Sequence, residues 1–279
     1  MGILIENKGL SGRFKISGNS TGGFKAIYSS VDADAQAFFN RVTTAGGALS
    51  VTEQIAVNTL VRSLKSAGIW TAMKAIYPMV GASAAACAQN LKSSSYTGNF
   101  SGTWTFASTG VLGNGTNTYM NTGVIPSIDL LQNDVHLSVY SRTNQTGGST
   151  VDIGCFQSVR FYIILNYTNT TYLSVNTTSD NAVTTITDTR GFFEVSRTSS
   201  TLTKMYKNNA IHATTTEISS GINTTYPVYL GAYNNANTPS FYSTKEFSFS
   251  SIGNGLNDTQ SANFYTAVQA FQTTLGRQV

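Results

Sequence analysis

Side chains able to do acid–base or metal chemistry are few and scattered in this sequence. It holds 13 Asp and Glu, two His and two Cys among 279 residues. Between residues 98 and 256 the acids are Asp129, Asp134, Asp152, Asp180, Asp188, Glu194, Glu217 and Glu246. Glycosidic hydrolysis needs two carboxylates flanking the bond, ~5–9.5 Å apart. A retaining sandwich glucanase would carry them on one strand as E-x-D-x-E or E-x-D-x-x-E, and no such run occurs. Glu194 and Asp152 each stand alone on a predicted strand. A serine triad is poorly served, because there is no G-x-S-x-G and His136 and His212 are the sole histidines. The histidines lack metal-ligand spacing, and Cys87 and Cys155 form no C-x-x-C. Asp129 and Asp134 come nearest to a Ca²⁺ pair, but they are isolated. The expectation is no catalysis, no metal, no cofactor and two inert thiols.

Aromatic and amide side chains offer a second chemistry. Exposed rings can serve as stacking platforms for a sugar, while Asn and Gln bond its hydroxyls. Tyr167, Tyr172, Tyr226, Tyr233, Asn234, Asn235 and Tyr242 are the candidate glycan contacts. For each alone, ordinary packing is the competing reading.

Charged residues make up 11% of the chain, against the usual ~25%, and the net charge is +4. The basic residues are dispersed, which argues against nucleic-acid binding. Thr, Ser, Asn, Gln and Gly supply the polar surface instead, as suits exposed strands and turns. No window approaches 18 apolar residues, so no membrane span is predicted. The N-terminus lacks a basic segment followed by an apolar core, so no signal peptide is predicted.

These residues must be positioned by the following elements. Residues 1–30 hold three short strand-like runs carrying Ile3, Leu4, Ile5, Phe14, Ile16, Phe24, Ile27 and Tyr28. Such runs cannot stand alone. They either extend the main sheet or form an arm completed by a partner. Residues 31–80 read as helical. A helix over 35–43 buries Phe38, Phe39 and Val42. A second follows the capping box Ser50-Val51-Thr52-Glu53 and buries Ile55, Leu60, Val61 and Leu64, with Gly68 as its stop. A third is predicted from Ile69 to Tyr77, ended by Pro78. Residues 81–97 read as a connector.

From 98 to 256 about a dozen strands alternate with turn residues and no helices intervene. Asn208-Asn209 reads as a type I′ hairpin turn. The fold predicted is mainly β, an antiparallel β-sandwich of jelly-roll type. A last helix over 257–275 is capped at Asn257 or Asp258 and buries Phe264, Val268, Phe271 and Leu275.

The segments GIWTAMKAIYPMVG (68–81), NLK (90–92), GVLGNGT (110–116), HLSVYSRT (136–143), GNGL (253–256) and YTAVQAFQTTLGR (265–277) carry a resemblance. Over residues 32–279 the chain resembles virion structural proteins of tailed bacteriophages that contain a concanavalin A-like (laminin-G-like) jelly roll. Phages of Bacteroidetes hosts, including the crAss-like group, are the ones it most resembles. The resemblance implies a virion surface component: a head fibre, capsid decoration or tail appendage, assembled in the host cytoplasm. It also implies a lectin-like sandwich able to bind host-surface glycan, other virion proteins as partners, and a homo-oligomer. The first 30 residues would then be the virion anchor. No functional residue carries over from the resemblance.

Overall fold

A computed structural model describes residues 30–183, 185–222 and 224–279. The anchor candidates from Ile3 to Tyr28 lie outside the described residues.

Local signals set the first helices. The Asp32 carboxylate accepts from the Asp34 amide and caps α1 (Ala33–Thr44). Ser50 caps α2 (Val51–Ser66): its Oγ accepts from the Glu53 amide at 3.2 Å, and the Glu53 carboxylate accepts from the Ser50 amide at 2.7 Å. Gly68 follows at φ +69°, where a side chain would be strained. One expectation fails on α2. Ile55 is 57% exposed, and Val57 takes its place in the stripe with Leu60, Val61 and Leu64. Ile55 stands about 200° around the helix from Val57, at 100° per residue.

The third predicted helix is a strand. One 3₁₀ turn, Trp70–Ala72, leads into β1 (Met73–Tyr77). The segment 31–80 is therefore not helical throughout. A short apolar run has no periodicity that separates helix from strand. Here tertiary contact decides. Ala75 and Tyr77 enter one core, while Met73 and Ile76 enter another on the opposite face. The predicted connector contains a short helix, α3 (Ala84–Cys87), capped by Ser83.

Next come β2 (Asn99–Ser101), β3 (Thr105–Ala107), β4 (Gly110–Leu112), β5 (Tyr119–Asn121), α4 (Pro126–Asp129) and β6 (Val135–Ser141). They are followed by β7 (Ile153–Phe156), β8 (Arg160–Tyr167), β9 (Thr170–Thr177), β10 (Ala182–Val183), β11 (Gly191–Ser199), β12 (Leu202–Lys207) and β13 (Ala210–Thr215). The chain closes with β14 (Tyr229–Leu230), β15 (Tyr233–Asn235), β16 (Thr238–Ser240), β17 (Glu246–Gly253) and α5 (Asp258–Thr274).

Two sheets form. The first runs β13-β12-β11-β6-β17-β4-β3, with β1 also paired to β17. The second runs β10-β9-β8-β7-β14-β5-β2, with the β15–β16 hairpin joined to β7. Among the described residues every pairing is antiparallel except β15 with β7. Between the sheets, Leu137, Val139, Phe193 and Val195 meet Ile153, Phe161, Ile163 and Leu173. This is the antiparallel jelly-roll sandwich that the turn-rich sequence predicts.

The other face of the first sheet is covered by helices. Tyr140, Phe192 and Phe249 pack with Phe264, Val268 and Phe271 of α5 and with the stripes of α1 and α2. Phe247 and Phe249 are two residues apart, so a regular strand would put both on one face. The register shifts between them, placing Phe247 between the sheets and Phe249 beneath the helices. At the end of the chain, the Arg277 guanidinium is fully buried and donates to the Pro78, Met79 and Ser248 carbonyls. The molecule thus has three layers: helices, first sheet, second sheet. The outer face of the second sheet carries no helix among the described residues.

The Asn208-Asn209 turn also differs from expectation. Positive φ occurs at Asn208 (+55°) but not at Asn209, whereas type I′ needs it at both. Asn208 is held by β11: its amide donates to the Phe192 carbonyl, and its Oδ1 accepts from the Phe192 amide. Two positive φ values occur instead at Thr168-Asn169, between β8 and β9, and at Ala236-Asn237, between β15 and β16.

Candidate functional site

The helix-free face of the second sheet bears a cleft of about 270 Å³. Strand alternation builds it. On β8, Phe161, Ile163 and Leu165 point between the sheets, so Arg160, Tyr162 and Ile164 point outward. Tyr172 of β9 stands opposite Ile164, and Phe156 of β7 stands opposite Arg160. Gly154 stands opposite Tyr162, where a Cβ would lie 2.3 Å from the Tyr162 Cβ. Glycine is therefore what lets the Tyr162 ring sit there.

Six rings line the cleft: Phe156, Tyr162, Tyr167, Tyr172, Tyr233 and Phe241. Their contacts are continuous. Tyr233 stacks on Phe156 at 6.1 Å and meets Tyr162 edge-on at 5.5 Å. Tyr167 meets Tyr172 at 6.2 Å and Phe241 at 5.9 Å. Phe241 is 41% exposed and sits at φ +53°, a conformation rare for a bulky residue. Its carbonyl accepts from the Val151 amide at 2.9 Å, which pins the rim to the floor.

One end is polar. Arg160 Nε donates to Asp180 Oδ1 at 2.5 Å and Nη2 to Oδ2 at 3.2 Å. Arg160 Nη1 donates to the Thr178 carbonyl, and the Tyr162 hydroxyl donates to Asp180. The guanidinium also lies over Phe156, 5.3 Å from the ring centre. Partial burial acts to raise the Asp180 pKa, but the bonds from Arg160 and Tyr162 outweigh it and hold the carboxyl below its ordinary value. Burial, then Asp180, push the Tyr162 phenol well above its ordinary range, so it remains a donor. Asn235 completes the lining beside this end.

The structure brings together four of the sequence candidates: Tyr167, Tyr172, Tyr233 and Asn235. Asn234 is fully buried and faces inward. Its Nδ2 donates to the Pro227 carbonyl and its Oδ1 accepts from the Asn237 amide, so it is a turn-holding residue and not an exposed contact. Tyr226 and Tyr242 do not line the cleft, and the Tyr242 hydroxyl donates to the Pro239 carbonyl. Sequence reasoning missed Phe156, Arg160, Tyr162, Asp180 and Phe241. Strand alternation gave no signal for Arg160 and Tyr162, because apolar residues fall on both faces of β8.

Other chemical groups are accounted for. Asp129 accepts from the Tyr96 hydroxyl and the Ile125 amide; Asp134 accepts from Asn254 and the Gly255 amide. No cluster of three His, Cys, Asp or Glu occurs among the described residues. Cys87 and Cys155 are buried free thiols, and burial pushes Cys87 up to about 12. A second cavity beside the start of α5 is walled by Lys204, Tyr206 and Asp258, where the Lys204 ammonium and the Tyr206 hydroxyl both donate to the Asp258 carboxylate at 2.6–2.8 Å. No helix among the described residues is long and apolar enough to cross a membrane.

No protein-family model and no curated protein matches the chain. Solved structures do. A mutant Trypanosoma rangeli sialidase displaying trans-sialidase activity aligns at TM-score 0.55 and 9% identity, over 77% of this chain and 39% of that one. The T. rangeli sialidase in complex with sialic acid aligns at TM-score 0.52 and 8% identity, over 75% and 38% of the two chains. Domain 4 of AbnA, a GH43 extracellular arabinanase from Geobacillus stearothermophilus in complex with arabinotriose, aligns at TM-score 0.48 and 13% identity, over 69% and 97%. This chain thus spans about two fifths of the sialidases. At these identities the likeness to the sialidases is one of fold. It agrees with the class defined by the two sheets: a mainly β, jelly-roll-type sandwich, here with a helical layer on one side.

Proposed function

We propose that this chain is a glycan-binding protein that grips a saccharide in the cleft of the second sheet. One observation carries the reading. Six aromatic side chains gather beside the hydrogen-bonding groups of Arg160, Asp180 and Asn235, on a sheet face that no helix among the described residues covers. Apolar rings with a few convergent polar groups are what a sugar requires, because a pyranose offers a C–H face and a hydroxyl rim.

The activity proposed is binding without catalysis. Asp180 is the one carboxylate among the cleft-lining residues, and its charge is tied up by Arg160. Hydrolysis with two carboxylates would need a second.

The place proposed for this activity is the surface of a phage particle, on the strength of the sequence resemblance. Residues 1–30 would attach the chain to other virion proteins. Symmetric copies would turn weak single sites into avid adhesion.

The binding half is tested on a glycan array with the native chain and Tyr233→Ala. Retention of a saccharide by the native chain, with loss of at least tenfold in affinity for the variant, is expected. Equal retention by both removes the cleft from the reading. Gold-labelled antibody on intact particles tests the location, and deletion of residues 1–30 tests the anchor. Unlabelled particles, or incorporation of the shortened chain, would count against it.

A further inference from the structure

We infer that the cleft selects uncharged sugars and rejects acidic ones. This rests on the glycan reading above and adds the ligand class. An arginine in an aromatic cleft would ordinarily suit a carboxylate, sulfate or phosphate, through its planar fork of donors. Here the Nε–Nη2 edge of that fork, the one that grips a carboxylate side-on, is already taken. Nε and Nη2 of Arg160 meet both oxygens of Asp180, and Nη1 donates to the Thr178 carbonyl. The guanidinium face is covered by Phe156. An arriving anion would have to displace Asp180 or sit beside it, and like charges at that range repel.

Charge counting agrees. Arg160 and Asp180 are the charged side chains among the cleft-lining residues, so the lining sums to zero. Next to Val151 of the floor, Asp152 pairs with Lys245 at 2.8 Å, both fully buried, and adds no net charge. The chain as a whole carries +4, so this neutrality is local. What remains for a ligand is a ring of aromatic faces, the amide of Asn235, one N–H each on Nη1 and Nη2 of an already neutralised Arg160, and the outward lone pairs of Asp180, whose side chain is 50% exposed. Those lone pairs accept from sugar hydroxyls. The volume of about 270 Å³ lies at the small end for ligand sites, which suits one or two sugar rings.

The test is calorimetric titration of the full chain with matched neutral and acidic oligosaccharides: hexose units against the corresponding uronate or sialylated forms. Expected is at least tenfold tighter binding of the neutral member, unchanged between ~50 mM and ~500 mM NaCl, since an uncharged ligand feels no screening. Asp180→Asn leaves Arg160 unneutralised. It should tighten the acidic member about tenfold, with an affinity that now falls with salt. Arg160→Gln leaves Asp180 unpaired and should still reject the acidic member. Near-UV circular dichroism verifies that both variants keep the fold. If Asp180→Asn loosens it, Arg160→Gln decides alone. A native preference for the acidic member that Arg160→Gln abolishes overturns the inference and leaves the glycan reading standing. If neither member binds, the glycan reading falls, and the inference with it.

Discussion

Glu194 and His136 lie on the helix-covered face of the first sheet, and burial moves their pKa values in ways that stability should report. Glu194 is fully buried. Burial pushes its carboxyl up to about 8, against the opposing bond from Ser261 Oγ at 2.8 Å. Its other oxygen has no hydrogen-bond partner. The folded chain therefore keeps a proton that the unfolded chain releases above its ordinary value of 4.5. Stability must fall as pH rises from about 4.5 to about 8, by up to ~1.4 kcal/mol per unit. Glu194→Gln should flatten that limb and exceed the native chain in urea midpoint at pH 8. Equal slopes in the two proteins would contradict it. His136 acts on the other side. Its Nδ1 bonds the Asn254 carbonyl at 2.5 Å and its Nε2 meets Ser251 Oγ at 2.9 Å. Burial holds its pKa down to about 4, so the unfolded chain takes up the proton first as pH falls below 6.5. Stability is lost between those values, and His136→Asn should remove that acid limb from the same urea series. In the cleft, Gly154→Ala would set a methyl 2.3 Å from the Tyr162 Cβ. The expected cost is about 1–3 kcal/mol, with weakened sugar binding as Tyr162 is displaced. Native-like melting and binding would show that β7 can shift freely.

The elements divide into those set locally and those set by pairing. The capping boxes at Ser50/Glu53 and Asn257/Gln260 form within one turn of chain. Ser50→Ala should lower stability by about 1 kcal/mol, read as a shift of denaturant midpoint with unchanged slope. Any larger loss would mean that Glu53 matters mainly through its second bond, from the Gly81 amide at 2.7 Å. By contrast, β1 is a strand because Ile76 and Tyr77 pair with Ser251 and Ser250 of β17. The extra residue between Phe247 and Phe249 is likewise dictated by two separate cores. Neither can be read within a window of ten residues.

For the whole molecule, the helical layer is part of the sandwich and not an attachment to it. Residues 31–80 supply β1 to the first sheet and the cover over Tyr140, Phe192 and Phe249. A chain beginning at residue 98 would lose β1 and the stripes of α1 and α2, leaving α5 to cover those rings without them. It would also strip Arg277 of the Pro78 and Met79 carbonyls. It is expected to aggregate, or to keep far-UV but lose near-UV dichroism. A soluble monomer with native near-UV dichroism would show that the sandwich folds alone.

Taken by itself, the sequence determined what short-range physics controls: the helix cap at Ser50, the choice of Asn257 or Asp258 as the last cap, the stop at Gly68, the α5 stripe, and the strands that the structure places at Val135–Ser141 and Gly191–Ser199. Four of its candidate glycan contacts, Tyr167, Tyr172, Tyr233 and Asn235, line the cleft. Tertiary structure decided the rest. In RFYIILNY of β8 both faces are apolar, so alternation cannot say which residues face out. Arg160 and Asp180 are 20 positions apart, and the return of β9 along β8 brings them together. Whether a sheet face stays open depends on where the helices pack. α1, α2 and α5 cover the first sheet, because Phe192 and Phe249 offer them an apolar surface there. On the ring-lined face of the second sheet no helix packs among the described residues.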